Sequence, residues 1–194
     1  MAENWKKTAL IVIGMQKDFA IPGAPFLIDG APAILPNVKK AVEVARERGI
    51  LVVWAQREHD ASGRDVEFFK RHLYRSEKGG SAIKGSEGAE LVEGFEILEG
   101  DYKLVKTRMS AFFNTHLHSV LLASEIDSLV IVGIQTPNCI RQTVYDAVAL
   151  DYPSVSVIVD ATAAKTPEIH AANISDMKNI GVATPTISEW CKAN

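Results

Sequence analysis

The chain has 194 residues, 47% of them hydrophobic, and its 21 basic and 24 acidic residues leave a net charge of -3. This length predicts one globular domain over residues 1–194, and the lack of a dense basic run argues against nucleic acid as a partner. The apolar runs are too short to cross a bilayer, the N-terminus does not resemble a targeting leader, and two cysteines make a disulfide framework unexpected. We therefore expect a cytoplasmic protein with no membrane partner and with a small-molecule substrate.

Short apolar runs alternate with segments of helical periodicity along the chain. Branched apolar residues predict buried parallel strands, whereas apolar residues at helical spacing with charges opposite them predict amphipathic helices. In chain order the sequence predicts strand Thr8–Ile13, a helix from Pro36 to the glycine at 49, strands at 50–55 and 101–105, a helix at 116–123, strand Ser128–Ile134, a helix at 139–150, a strand at 155–159 and a helix at 167–180.

This alternation predicts an α/β fold with a doubly wound, mainly parallel sheet flanked by helices. The polar segment 58–100 interrupts the alternation without a change of composition typical of a linker. We interpret it as a long connection that walls the functional site.

Ligands of open α/β sheets bind beyond the carboxyl ends of the strands, so the residues that follow each strand are candidate site residues. Cys139 follows one strand and begins a helix, where free backbone N–H groups and the helix dipole favour a thiolate. The alternative is a buried cysteine that packs as a small apolar residue. We favour a nucleophile at Cys139 and a structural role for Cys191.

Other polar and aromatic residues follow the strands as well. Lys106 ends an apolar strand, where a desolvated ammonium could move protons or hold a thiolate, although a solvated lysine is common there. Asp18 could contribute a carboxylate or serve as a helix cap or turn residue. Phe19, Phe112 and Phe113 could form the floor of an apolar pocket, with core packing as the alternative.

Four segments in this order resemble the isochorismatase-like cysteine hydrolases, a family that includes nicotinamidases, N-carbamoylsarcosine amidohydrolases and ureidoacrylate hydrolases. They are IVIGMQKDF, the Lys106 strand with SAF beyond it, GIQTPNCIRQTVYDA and DATAAKTPEIHAANISDM, and the resemblance runs from Thr8 to about Ile187. It implies that Cys139 attacks an amide or ureido carbonyl to form an acyl intermediate and that Lys106 is the catalytic lysine.

The resemblance also implies an oxyanion hole built from the backbone N–H groups of Gln135 and Cys139, a pocket that includes Asn138, and a cis peptide bond between Ile134 and Gln135. Members of the family commonly form dimers or tetramers, so we expect a homodimer or homotetramer.

The chain departs from the family at Gly14, which stands where the family has the aspartate that accepts the proton of the cysteine. Asp18, a water molecule or the substrate itself could replace that base. We expect Gly14→Asp to raise turnover only if the φ angle of Gly14 is negative. The alternatives to a hydrolase are a binding protein that keeps the pocket without turnover and an enzyme of addition or elimination chemistry.

A second departure concerns metal. Zinc-containing nicotinamidases carry an Asp-x-His pair after the second strand, where this chain has Arg57, Glu58 and His59. Because arginine cannot ligate zinc, we predict no metal and no other cofactor. Arg57 or Arg64 could instead pair with a substrate carboxylate, and for His59 and His72 we favour a surface position.

Overall fold

The computed structural model describes residues 5–76 and 79–193. Its strands are β1 (Thr8–Ile13), β2 (Leu51–Arg57), β3 (Tyr102–Lys106), β4 (Ser128–Ile134) and β5 (Ser154–Ala163). Its α-helices are α1 (Lys17–Ala20), α2 (Ala31–Glu47), α3 (Leu117–Ala123), α4 (Arg141–Ala149), α5 (Pro167–Asn179) and α6 (Ile187–Lys192). In this part of the chain no helix has both the length and the apolar character needed to cross a bilayer.

The strands form a single five-stranded sheet in the order β3-β2-β1-β4-β5, and every neighbouring pair is parallel. The chain first builds the sheet outward from β1 through β2 to β3, and then returns to the other side of β1 with β4. The strand order therefore reverses between β1 and β4. Such a reversal point is where α/β sheets of this kind bind ligands.

Helices cover both faces of the sheet, which is why the inner strands β1 and β4 are apolar along their length and almost fully buried. In β1, Leu10 and Val12 pack into a core layer with α2 and α6, whereas Ala9, Ile11 and Ile13 pack on the opposite face with α3, α4 and α5. A fully buried side chain of this size contributes about 1.5–3 kcal/mol of hydrophobic stabilisation. The predicted doubly wound α/β class is confirmed.

Some predicted element ends are displaced in the structure. Helix α2 begins at Ala31 instead of Pro36, because Pro32 occupies the first turn, where proline is favoured, and Ala31 and Ile34 are buried in the core. Strand β2 continues to Arg57, two residues beyond the predicted end, and pairs there with Lys106. These two cations consequently lie side by side at the carboxyl edge of the sheet.

The connection between β2 and β3 contains the 3₁₀ segments Phe68–Arg75 and Glu87–Ala89. An isolated antiparallel bridge between Gln16 and Leu91 ties it to the rest of the fold, and a second bridge, between His59 and Ile83, lies within it. Its first half lies against the carboxyl edge of the sheet, where it forms one wall of the cavity described next.

Candidate active site

A cavity of about 310 Å³ opens at the carboxyl edge of the sheet, beside the point where the strand order reverses. Each strand contributes a lining residue at or beyond its end: Gly14 after β1, Arg57 in β2, Lys106 in β3, Cys139 after β4 and Lys165 after β5. The five contributions converge because parallel strands present all their carboxyl ends on one edge.

Lys106 and Cys139 are in contact within this cavity. The Lys106 Nζ atom lies 3.4 Å from Cys139 Sγ and donates hydrogen bonds to the carbonyl oxygens of Arg108 at 2.8 Å and Met109 at 2.9 Å. Lys106 is only 1% exposed, so its ammonium depends on these three acceptors instead of water. The arrangement suits a charged lysine beside an anionic sulfur.

Arg57 places a second cation near the same sulfur, with its Nη2 atom 4.0 Å from Cys139 Sγ. The guanidinium also donates to Glu67 Oε1 at 2.7 Å and lies 3.1 Å from His59 Nε2 through its Nη1 atom. The buried side chain of Gln16 bonds the backbone N–H and C=O of Arg57 at 2.8 and 2.7 Å. Hydrogen bonds therefore fix both the backbone and the guanidinium group of Arg57.

These contacts set the protonation of the pair. Burial raises the pKa of the Cys139 thiol, but the positive charges of Lys106 and Arg57 outweigh burial and lower that pKa to about 7. Burial lowers the pKa of Lys106 to about 8, against the opposing attraction of the sulfur. Around neutral pH the site therefore favours a thiolate beside an ammonium.

Gly14 contributes backbone alone to the cavity. Its φ angle is +69°, and a Cβ atom at this position would lie 2.9 Å from the carbonyl oxygen of Ile134. The negative φ that the Gly14→Asp expectation required is absent, so an aspartate here would be strained. The peptide bond between Ile134 and Gln135 is cis, as the resemblance implies.

Asp18 does not line the cavity, although it belongs to the same motif. Its carboxylate accepts a hydrogen bond from the backbone N–H of Ala82 at 2.7 Å and so anchors the β2–β3 connection. The suggestion that Asp18 reaches in as the replacement base has no support from this placement.

The other predicted pocket residues divide into two groups. Phe19, Gln135 and Asn138 line the cavity, whereas Phe112 and Phe113 do not. The ring of Phe112 packs 5.7 Å from that of Tyr152, and Phe113 is 60% exposed. The reason is that the chain beyond β3 turns away to cover α4, where the backbone N–H of Ala111 bonds Thr143 Oγ1 at 2.9 Å.

The preferred surface position is wrong for His59 and right for His72. His59 is 1% exposed, and burial together with the charge of Arg57 lowers its pKa to about 4. Arg64 is exposed and pairs with Asp60 outside the cavity. Within residues 5–76 and 79–193, no three His, Cys, Asp or Glu side chains form a group that could hold a metal ion. The absence of zinc stays a prediction.

Three charged residues of the site were missed in the sequence: Glu67, Lys70 and Lys165. Glu67 and Lys70 lie in the connection predicted to wall the site, but nothing in its composition distinguishes them from its other charged residues. Lys165 follows β5, which is four residues longer at its carboxyl end than predicted. Lys165 is a candidate site residue once the end of β5 is placed at Ala163.

Comparison with known proteins agrees with this geometry. Residues 8–189 match the isochorismatase domain. The chain is 65% identical to an Arabidopsis thaliana protein named "Probable inactive nicotinamidase", covering 98% of this chain and 97% of that protein. It is 37% identical to the ureidoacrylate amidohydrolase RutB of Caulobacter segnis, over 84% of this chain and 75% of RutB.

A solved structure, an isochorismatase family protein from Desulfovibrio vulgaris, superimposes with a TM-score of 0.91 at 41% identity and covers 95% of this chain and 96% of that one. The matched domain spans nearly the whole chain, and a solved relative with 41% identity has the same fold. The chain is therefore a member of the isochorismatase family.

Proposed function

We propose that this protein is a metal-free cysteine hydrolase that cleaves the C–N bond of a small amide, carbamoyl or ureido substrate through an acyl intermediate on Cys139. The observation that carries the proposal is the 3.4 Å contact between Lys106 Nζ and Cys139 Sγ in the cavity at the carboxyl edge of the sheet. A buried lysine held against a sulfur is hard to explain as packing, because burying an ammonium is costly.

Activation of the thiol does not require the carboxylate that Gly14 lacks. Lys106 and Arg57 lower the pKa of Cys139 to about 7, which makes a substantial fraction of the sulfur anionic at neutral pH. A nucleophile that is already ionised needs no proton acceptor for the first step. In this scheme two cations replace the usual acid–base pair.

The remaining steps use groups that lie in the cavity. The thiolate attacks the carbonyl carbon, and the backbone N–H groups of Gln135 and Cys139 stabilise the oxyanion. Lys106, whose pKa is lowered to about 8, donates a proton to the leaving nitrogen as the C–N bond breaks. The neutral amine of Lys106 then takes a proton from a water molecule. The hydroxide that forms attacks the thioester, which releases the carboxylic acid and restores the Cys139 thiolate.

The relatives guide the choice of substrates. One is named a "Probable inactive nicotinamidase" and another a ureidoacrylate amidohydrolase, so ureido and carbamoyl compounds are better first candidates for this chain than nicotinamide.

The test is an ammonia-release screen over primary amides, N-carbamoyl amino acids and ureido acids, with Cys139→Ala as the matched control. We expect turnover of at least one compound by the parent and none by Cys139→Ala, together with a mass increase on Cys139 when the reaction is quenched early. Release that survives in the control would exclude this chemistry. Specific binding without release would favour the alternative of a binding protein, which Gly14 supports.

A further inference from the structure

The cavity carries an excess of positive charge. Four cationic side chains line it, and none of the described residues that line it is an aspartate or glutamate. The balancing anions are the Cys139 thiolate and Glu67, which lies behind the lining and bonds Arg57. Four cations against two anions leave two positive charges facing the cavity. The four cations are Arg57, Lys70, Lys106 and Lys165.

Two of these cations are committed to protein partners. Arg57 bonds Glu67 with both terminal nitrogens, at 2.7 and 3.3 Å. Lys106 bonds two carbonyl oxygens and approaches the sulfur of Cys139. While Cys139 is unmodified, neither has a donor left for a carboxylate.

The other two cations remain available. Lys70 forms an ion pair with Glu67 whose Nζ–Oε2 distance of 3.8 Å is too long for a hydrogen bond, and burial together with the charge of Arg57 lowers the pKa of Lys70. Lys165 forms no ion pair with any residue that the structure describes. An anion in the cavity would therefore offset the burial of Lys70 and would give the exposed Lys165 an ion-pair partner.

These lysines reach the cavity from separate elements. Lys70 lies in the 3₁₀ segment Phe68–Arg75, and Lys165 follows β5. Much of the remaining lining is apolar, including Phe19, Leu27 and Leu73. The volume of about 310 Å³ lies at the low end of the range of about 300–1,000 Å³ usual for ligand pockets, so the ligand is small.

We propose that Lys70 and Lys165 bind a carboxylate of the substrate, so that the preferred substrates are small ureido or carbamoyl acids with a short apolar spacer. The presence of a scissile C–N bond in the substrate rests on the proposed function, whereas the carboxylate site rests only on the charged side chains that line the cavity. The carboxylate end would orient the carbonyl toward Cys139 while the apolar wall holds the spacer.

Calorimetric titration of a Cys139→Ala background, in which turnover is blocked, tests the carboxylate site. The ligands are N-carbamoylglycine and 3-ureidopropionate, each paired with its neutral carboxamide. We expect each acid to bind at least about ten-fold more tightly than its carboxamide, because the acid makes charge-assisted hydrogen bonds that the amide lacks. Lys165→Met and Lys70→Met should each weaken acid binding by about ten-fold and leave carboxamide binding unchanged.

Two further variants keep the test specific. Lys165→Arg retains the charge and should keep the preference for the acid, and Lys178→Met removes an exposed lysine of α5 outside the cavity and should change nothing. Equal binding of acid and carboxamide, or no binding of either acid at millimolar concentration, would overturn the carboxylate site. Acid binding without turnover by the parent would instead contradict the hydrolase and leave this site standing.

Discussion

The two cysteines of this chain lie in regions that use the same residue types differently. Both are free and partly buried, and both have an arginine nearby. At Cys139 the guanidinium of Arg57 faces the sulfur at 4.0 Å. At Cys191 the guanidinium of Arg48 donates to the backbone carbonyl of the cysteine at 2.7 Å. We therefore expect the orientation of a cation toward the sulfur to distinguish a reactive thiol at Cys139 from a structural one at Cys191.

The region around Cys191 serves stability. Arg48 lies over the rings of Trp5 and Trp190, with distances to the ring centroids of 4.2 and 5.2 Å, and bonds the carbonyls at the end of α6. Its charge satisfies the carbonyls that a helix leaves free at its carboxyl end. The region around Cys139 instead concentrates charge at a cavity, which stability alone does not require.

The largest expected effect comes from Lys106→Met, which removes the nearer of the two cations that oppose the effect of burial on Cys139. Without the ammonium, burial raises the pKa of Cys139 and the leaving nitrogen lacks its proton donor. We expect a loss of turnover of about 10²–10⁴-fold on whichever substrate the ammonia screen identifies. Lys103→Met, which removes an exposed lysine of the same strand, is the control and should retain the parent rate. A parent-like rate for Lys106→Met would remove the lysine from the mechanism.

Gly14→Asp is expected to destabilise the protein at the cavity around Cys139. An aspartate at a φ of +69° with its Cβ against the Ile134 carbonyl should lower the free energy of unfolding by about 1–3 kcal/mol, without raising turnover. Urea denaturation of the parent and the variant measures the difference. Gly49→Asp is a useful comparison, because Gly49 has a similar φ of +70° but nothing within 4 Å of its Cβ position. Increased turnover of a fully stable Gly14→Asp protein would contradict this account.

The contrast between the cysteines should appear directly in their alkylation by iodoacetamide. The thiolate fraction of Cys139 should reach one half near its pKa of about 7 and level off roughly one pH unit above it. A thiol with the usual pKa of about 8.5 continues to gain thiolate beyond that point. Peptide mass spectrometry after brief treatment at pH 7 should find Cys139 labelled several-fold faster than Cys191, with the excess shrinking toward pH 9. Preferential labelling of Cys191 at pH 7 would contradict an activated Cys139.

The smallest expected effect is on metal content. Arg57 occupies the first ligand position of the Asp-x-His pair and contacts His59 Nε2, so we expect well under one zinc per chain in protein purified without a metal-binding tag. Elemental analysis provides the measurement. A stoichiometric zinc that only strong chelators remove would show that the guanidinium does not exclude the metal.

Much of the fold could be predicted from local pattern, because the inner strands are buried on both faces and so are apolar along their length. Thr8–Ile13 and Ser128–Ile134 were predicted to the residue, and the position of Cys139 after a strand followed from them. The ends of β2 and β5 could not be predicted, because Arg57 and Thr162 are polar residues that neighbouring strands hold in the sheet.

The sequence by itself determined the parallel α/β class, the Cys139 and Lys106 pair as candidates and the missing carboxylate at Gly14. Only the tertiary structure decided which charges meet them. Glu67 and Lys70 lie in a long connection whose path depends on distant contacts such as that of Asp18 with Ala82. The positive φ of Gly14 likewise reflects the close approach of Ile134, a residue 120 positions away in the chain. Periodicity records which side of an element is buried, but it contains no information on which distant side chains share a cavity.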